Sequence, residues 1–224
     1  RDAFPGDEPL WTGSMFSGMP GYQIGVLWPT NALSWLDQVF TGFLPRPASF
    51  VFLYLMGMFI LLLCLRTDPW LALIGAIAFA FSSYFLIIIE AGHNSKAMAV
   101  GYMPMVLGGL YVLLHGRKFV GAALFALFLA MEVHANHVQI AYYMGMLLVI
   151  YGLAEAVRAF REKRIGDFAG RSALALVGVA FAVLCNVGLL WSTWEYGSYS
   201  TRGKSELTIN AQGEAEAATK TGGL

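Results

Sequence analysis

The sequence predicts an all-α fold, a polytopic bundle of transmembrane helices with about six spans in this chain. The first observation is composition, since 58% of the residues are hydrophobic and only 12% are charged. An ordinary soluble domain carries about 25% charged residues. The second is a series of apolar runs close to the roughly 20 residues that cross a bilayer. The third is the position of the basic residues, which gather in alternate joints between the runs.

The predicted spans are joined by short segments, which makes neighbouring helices antiparallel. They are Phe50–Leu65, Trp70–Ile89, Ala97–Leu114, Phe119–Met131, Val138–Val157 and Ser172–Trp191. The fourth run is short, and it reaches a useful length only if the helix continues through Glu132 towards Ala135. Glycines at Gly75 and within Val106–Leu110 allow neighbouring helices to approach closely.

The basic residues predict the orientation of the spans. The first, third and fifth joints hold most of them, at Arg66, Arg117, Lys118, Arg158, Arg161, Lys163, Arg164 and Arg171. The second joint holds only Lys96, and the fourth holds no Lys or Arg. Because basic joints face the cytoplasm, we expect an extracytoplasmic, interfacial segment at 1–47, a transmembrane bundle at 48–191, and a truncated extracytoplasmic loop at 192–224.

The apolar stretch Ile24–Phe43 is interrupted by Pro29, Asn31 and Asp37. This pattern predicts short interfacial helices lying against the bilayer in the first outer loop, and a seventh span is the alternative. Arg1 is not an initiator Met, and the sequence trails off in a small polar stretch after Ala211. We therefore expect the chain to be an internal fragment of a longer protein.

The second joint carries four polar residues directly after a span, at Glu90, His93, Asn94 and Lys96. If the helix continues past Ile89, Glu90 shares a face with His93 and Asn94. An ionisable residue at the end of a span is a functional candidate. The alternative is an interfacial turn in which Lys96 reaches the headgroup region and pairs with Glu90.

The fourth joint carries a similar group, at Glu132, His134, Asn136 and His137. On a continuing helix, Glu132 would stack with Asn136 and His134 with His137. Two imidazoles and a carboxylate could hold a divalent metal, but the spacing matches no strong metal signature. Acid–base chemistry or hydrogen bonding to a polar headgroup is the favoured interpretation, and no cofactor is indicated.

Charged residues near both ends of the chain are further candidates. Arg202 and Lys204 follow the sixth span on the side where the charge rule disfavours cations, which suggests an anionic partner such as phosphate. Asp2, Asp7 and Glu8 precede an aromatic, Gly-rich segment, and a carboxylate there could serve as a base. Solvated loops are the alternative in both places.

Other classes of function receive no support from the sequence. The 14 basic residues balance 14 acidic ones, so there is no global charge that would indicate a nucleic-acid partner. Cys64 and Cys185 lie inside apolar runs and predict neither a disulfide framework nor a zinc site.

Several segments carry a resemblance to a known family. Pro9–Pro20 resembles the motif after the first transmembrane helix of bacterial YfhO-like membrane proteins. The stretches Gly92–Lys96, Ala135–Gln139 and Glu195–Glu206 resemble those of Bacteroidetes-type members. The resemblance implies the GT-C glycosyltransferase architecture and a multi-pass protein of the bacterial cytoplasmic (inner) membrane. It also implies hexosyl transfer from a polyprenyl-phosphate-linked sugar to an envelope glycan or lipid acceptor.

The resemblance also implies roles for the candidate residues. An acid in the first outer loop is the usual base, which would be Asp2, Asp7 or Glu8, or an acid upstream of Arg1. Glu90 and Glu132 are the other catalytic candidates. The predicted substrate-binding residues are His93, Asn94, Lys96, His134, Asn136, His137, Arg202 and Lys204.

Two other functions remain open. A transporter or flippase would usually show charge buried within the spans or broken helices, and the interiors of these spans are nearly free of charge. A non-enzymatic polytopic membrane protein is disfavoured by the polar clusters that fall on one side.

Overall fold

The computed structural model describes residues 11–12, 19–21 and 31–198. Two short strands, β1 (Trp11–Thr12) and β2 (Met19–Pro20), pair antiparallel, with Trp11 opposite Pro20. The rest of the described chain consists of helices and the short turns between them, which confirms the predicted all-α class. The helices are α1 (Ala32–Phe40), α2 (Ala48–Cys64), α3 (Pro69–Ala80), α4 (Ser83–Glu90), α5 (Asn94–His115), α6 (Lys118–His134), α7 (Val138–Arg161), α8 (Ile165–Cys185) and α9 (Val187–Ser198).

Three helices, α5, α7 and α8, are long and apolar enough to cross a membrane. The pair α3 and α4 makes a fourth candidate, although the two helices meet at a bend of 46°. The chain therefore carries three or four candidate spans among its described residues. Helices α2 and α6 are shorter, with 17 residues each.

Local sequence explains where several helices begin and end. Asn31 caps α1 by accepting a hydrogen bond from the backbone N–H of Leu33 at 2.9 Å, and Asp68 caps α3 in the same manner. The predicted span Trp70–Ile89 is interrupted at Ser82, which precedes α4. The predicted span Ser172–Trp191 is interrupted at Asn186, which separates α8 from α9.

Helix α5 lies at the centre of the bundle and packs along α6 and α2. A Cβ at Gly109 would lie 2.6 Å from the backbone nitrogen of Phe125, so only glycine permits the observed approach of α5 to α6. Helices α7 and α8 instead expose many large apolar side chains, including Ile150, Leu153 and Leu176. An apolar outer surface of this kind is suited to contact with lipid.

The chain divides into two compact units, residues 1–187 and 188–224. The described part of the second unit is most of α9, where Trp191 and Trp194 lie with ring centroids 5.6 Å apart. The hydroxyls of Ser192 and Thr193 donate hydrogen bonds to the carbonyl of Leu189.

Candidate functional site

A cavity of about 370 Å³ lies where α1 meets α2, α5 and α6. Its polar lining comes from three of these elements and from the loop that joins α1 to α2, and consists of Ser34, Asp37, Gln38, Thr41, Arg46, Ser49 and His134. Its apolar lining consists of Trp35, Leu44, Phe50 and Met98. A concave pocket with an apolar wall and a few converging polar groups has the usual character of a small-molecule site.

Asp37 is the carboxylate of this cavity. Its Oδ1 accepts a hydrogen bond from the Tyr102 hydroxyl at 2.7 Å, although the two residues are 65 positions apart in sequence. Burial raises the pKa of Asp37, and the Tyr102 hydrogen bond, His134 and Arg46 oppose that rise. A carboxyl group with a raised pKa beside an imidazole and a guanidinium is a common feature of functional sites.

His134 and Arg46 bring the other two ionisable groups to the cavity. The Nε2 atom of His134, at the end of α6, lies 3.3 Å from the Ser34 hydroxyl on α1. Arg46 is exposed at the rim, with its guanidinium 5.3 Å from the centroid of the Phe50 ring. The cavity therefore combines an acceptor, an imidazole and a permanent cation.

Asn186 reinforces the same end of the bundle from α8. Its side-chain amide donates hydrogen bonds to the carbonyls of Ala130, at 3.0 Å, and Ala182, at 2.9 Å. Asn186 is itself buried, so these two bonds satisfy its amide group and tie the end of α8 to α6.

Glu132 lies two residues before His134 but does not line the cavity. Its side chain is 1% exposed, and neither carboxylate oxygen has a hydrogen-bond partner within the described ranges. The predicted stacking of Glu132 with Asn136 does not occur because α6 ends at His134. Asn136 follows with φ 55°, a left-handed conformation that asparagine tolerates at a helix end.

The turn between α6 and α7 uses His137 as a cap. Its Nδ1 accepts a hydrogen bond from the backbone N–H of Ile140 at 3.4 Å, so His137 does not stack with His134 as expected. Burial lowers the pKa of His137, and the positive charges of Lys96 and His93 lower it further. The second and fourth joints are therefore neighbours in space, as the predicted antiparallel order of the helices requires.

The turn between α4 and α5 separates Glu90 from His93. Helix α4 ends at Glu90, and Gly92 adopts φ +74°. The amides of Gly92 and His93 donate to the carbonyls of Ile89 and Ile88, a pattern typical of a glycine-terminated helix. The expected continuous helical face does not form. Glu90, His93 and Asn94 are exposed.

Lys96 lies on the first turn of α5 and contacts an aromatic ring. Its ammonium group is 5.2 Å from the centroid of Tyr84, and no ion pair joins it to Glu90 in the portion of the chain that the structure describes. The cation–π contact replaces the alternative pairing that the sequence suggested.

The remaining predicted site residues, Asp2, Asp7, Glu8, Arg202 and Lys204, lie outside the described residues. Between residues 31 and 198, no three His, Cys, Asp or Glu side chains lie close enough to hold a metal ion. Cys64 and Cys185 are both free thiols.

The opposite end of the bundle carries an ion-pair network that the sequence did not predict. Glu155 is buried and lies 3.2 Å from His115, 3.5 Å from Arg158 and 3.6 Å from Arg164. Arg171 donates hydrogen bonds to the carbonyls of Leu113 and Gly116 at the end of α5. These basic residues therefore hold α5, α7 and α8 together in addition to any role in orientation.

Sequence reasoning missed Asp37, Ser34 and Arg46 as members of a site, and it did not pair Tyr102 with Asp37. The available signal was the presence of Asp37 and Asn186 in otherwise apolar stretches, since buried polar residues require partners. No protein-family model, no curated protein and no solved structure matches this chain.

Proposed function

We propose that the chain belongs to an integral membrane glycosyltransferase that takes a hexose from a polyprenyl-phosphate-linked donor at the extracytoplasmic face of the bacterial cytoplasmic membrane. The observation that carries the proposal is the cavity under α1, where Asp37, His134 and Arg46 converge at one end of an apolar bundle. A donor of this kind has a hydrocarbon tail, an anionic phosphate and a sugar. The apolar helices, the cation and the polar cavity match these three parts.

The reaction needs a proton acceptor and positive charge. The acceptor oxygen bonds to the anomeric carbon while the bond from that carbon to the phosphate oxygen breaks, and polyprenyl phosphate leaves with the electron pair. The hydroxyl proton passes to a carboxylate. Arg46, at the rim of the cavity, and Lys96 are the described cations that support stabilisation of the departing phosphate.

The burial or exposure of each carboxylate decides whether it can reach the acceptor hydroxyl and take its proton. Glu132 is enclosed by protein, which keeps an acceptor substrate away from its oxygens. The proposal therefore gives the role to Glu90, which is exposed at the same end, or to Asp2, Asp7 or Glu8. His93, Asn94, His134, Arg202 and Lys204 remain proposed substrate contacts, whereas Asn136 and His137 have structural roles in the turn.

We propose that the chain crosses the membrane six times, with the cavity end outside. The six spans are α2, the bent pair α3 and α4, α5, α6, α7 and α8. Helices α2 and α6, at 17 residues each, are about 25 Å long at 1.5 Å per residue, which is close to the lower limit for crossing a bilayer. The basic joints that contain Arg117, Arg161 and Arg164 then face the cytoplasm.

Two observations favour a second candidate, a lipid flippase or transporter. The bend between α3 and α4 is a broken helix of the kind that transporters use at their binding sites. Glu132 is also buried, and its carboxylate oxygens have no hydrogen-bond partner among residues 31–198, which is compatible with proton coupling. Flipping of a fluorescent polyprenyl phosphate in vesicles, without sugar transfer, is the result that would select this function.

The direct test is transfer by the full-length protein in vesicles supplied with polyprenyl-phosphate hexoses that carry a radiolabelled sugar. We expect labelled product together with free polyprenyl phosphate, and Glu90→Gln should slow transfer by about 10²–10⁴-fold if Glu90 is the base. Gln139→Ala, an exposed change at the same end, is the matched control. Absence of transfer across a panel of hexose donors would overturn the proposal.

A further inference from the structure

Most of the polar wall of the cavity lies on one face of α1 and its C-cap residue Thr41. Ser34, Asp37, Gln38 and Thr41 recur at spacings of three and four residues, so they lie on the same side of the helix. Helix α1 is held by the Tyr102 hydrogen bond to Asp37 and by the contact of Ser34 with His134. The polar groups therefore have fixed positions relative to the bundle.

The side chains that line the cavity include both hydrogen-bond donors and hydrogen-bond acceptors. Asp37 is an acceptor when ionised, the Gln38 amide both donates and accepts, and the Ser34 and Ser49 hydroxyls do the same. The Tyr102 hydroxyl bonds Oδ1 of Asp37, and Oδ2 makes no hydrogen bond to the part of the chain that the structure describes. A ligand with several adjacent hydroxyls fits this arrangement better than a ligand with a single charge.

The volume of the cavity and its apolar wall suit a single pyranose ring. At about 370 Å³, the cavity is at the small end of the range for small-molecule sites, which is about 300–1,000 Å³. Phe50 and Met98 supply an apolar surface for the C–H face of a pyranose. Arg46 lies at the rim beside Phe50, where it can meet a phosphate attached to the ring.

We propose that the cavity under α1 binds the pyranose ring of the lipid-linked donor, with Asp37 and Gln38 bonding its hydroxyls and Arg46 contacting its phosphate. This inference rests on the proposed transferase function, which it deepens. Asp37 acts here as a binding residue that fixes the sugar, and the proton acceptor is a separate carboxylate.

The test compares two lipids on the full-length protein in nanodiscs: polyprenyl phosphate that carries a hexose, and the same lipid without the sugar. Asp37→Asn should raise the Kd for the glycosylated lipid at least about tenfold, because a hydrogen bond to a charged group is lost. The Kd for the bare lipid should not change. Arg46→Ala should raise both values, and the control Gln139→Ala should raise neither.

The variants are chosen so that a change in binding can be separated from a loss of folding. Asparagine keeps a side-chain oxygen that can accept a hydrogen bond from the Tyr102 hydroxyl, so Asp37→Asn preserves the link between α1 and α5. Gln38 is exposed, so Gln38→Ala gives a second variant with little effect on the fold. It should also weaken binding of the glycosylated lipid without changing binding of the bare lipid. If Asp37→Asn does not fold, Gln38→Ala decides the question.

The outcomes separate the inference from the proposed function. An unchanged preference for the glycosylated lipid in both variants overturns the sugar assignment, even if the wild-type protein transfers sugar. A wild-type protein with no preference for the glycosylated lipid overturns it too. If the preference depends on Asp37 but the protein never transfers sugar, the cavity binds the sugar as proposed and the proposed transferase function is wrong.

Discussion

The hydroxyl of Tyr102 donates a hydrogen bond to Oδ1 of Asp37 at 2.7 Å and so joins α1 to the central helix α5. Tyr102 is fully buried, whereas α1 lies at the edge of the bundle and carries the polar wall of the cavity. Phe40 adds apolar contact between the same elements, with its ring centroid 6.3 Å from that of Tyr102. The position of the cavity wall therefore depends on a bond to the core.

Removal of the Tyr102 hydroxyl should loosen α1. Tyr102→Phe deletes the donor and leaves a partly buried carboxyl without that partner, at a cost of about 1–3 kcal/mol. We expect faster hydrogen exchange at the backbone amides of α1, with little change in the middle of α5. Tyr143→Phe is the control, since its hydroxyl accepts a bond from exposed Gln139. Equal exchange in α1 for both variants would show that this hydrogen bond does not hold the helix.

Asp37 should make the stability of the protein depend on pH in a defined direction. Its pKa in the fold is raised above the ordinary value of 3.8, so the folded state holds a proton in the interval between the two values. The stability that this group contributes is complete below 3.8 and is lost as pH rises through the raised value.

The pH effect can be isolated with Asp37→Asn, which does not titrate. We expect the Tm of the wild-type protein in detergent, relative to that of the variant, to fall with rising pH across this interval and then to level off. A relative Tm that increases with pH would mean that the pKa of Asp37 is lowered in the fold, in which case Arg46 and His134 outweigh burial.

The helical class and several helix ends were predictable because they depend on local sequence. Long apolar runs predicted helices at the positions of α5 and α7. Helix α1 lies inside Ile24–Phe43, where short helices were expected. The interruptions were harder to predict. Asn186 competes with helical hydrogen bonds by donating its side-chain amide to the carbonyl of Ala182, whereas Ser82 precedes α4 without a side-chain capping hydrogen bond in the described part of the chain. Whether a helix breaks at such a residue depends on partners elsewhere in the fold.

The cavity could not be read from the sequence because its residues meet only through tertiary packing. Asp37 was visible as a polar interruption, but its partner Tyr102 is 65 positions away, within a predicted span, and nothing in the sequence joins the two. The group around Glu132 was visible as polar, yet burial of Glu132 and exposure of Glu90 depend on how the helices pack. Local periodicity carries no information about either.

The close packing of α5 on α6 should be sensitive to a single methyl group. Gly109→Ala places a Cβ 2.6 Å from the backbone nitrogen of Phe125, so the helices must separate, at a cost of about 1–3 kcal/mol. Gly152→Ala is the control, because nothing lies within 4 Å of its Cβ and both changes gain similar helix propensity. We expect a lower Tm for Gly109→Ala alone, and equal Tm values would contradict the observed helix spacing.

The ion-pair network around Glu155 should stabilise the junction of α5 and α7. Glu155→Gln removes the carboxylate charge that Arg158 and Arg164 share and that lies 3.2 Å from the His115 imidazole, which should destabilise the protein by about 1–3 kcal/mol. Glu162→Gln changes an exposed acid that also pairs with Arg158, and solvent should reduce its effect to below about 1 kcal/mol. Thermal melting of both variants compares them, and a larger loss for Glu162→Gln would place the main stabilising contact at the exposed pair.

The orientation of the bundle can be tested with single cysteines. Cys64 and Cys185 are free thiols and are first replaced by alanine, after which Asn94→Cys and Arg161→Cys each provide an exposed position, one at the cavity end and one at the opposite end. A membrane-impermeant thiol reagent added to intact cells should label position 94 and spare position 161, because the basic joints face the cytoplasm. Cell lysis should make both positions reactive. Labelling of position 161 alone in intact cells would reverse the bundle and would remove the cavity from the membrane face where the donor is proposed to react.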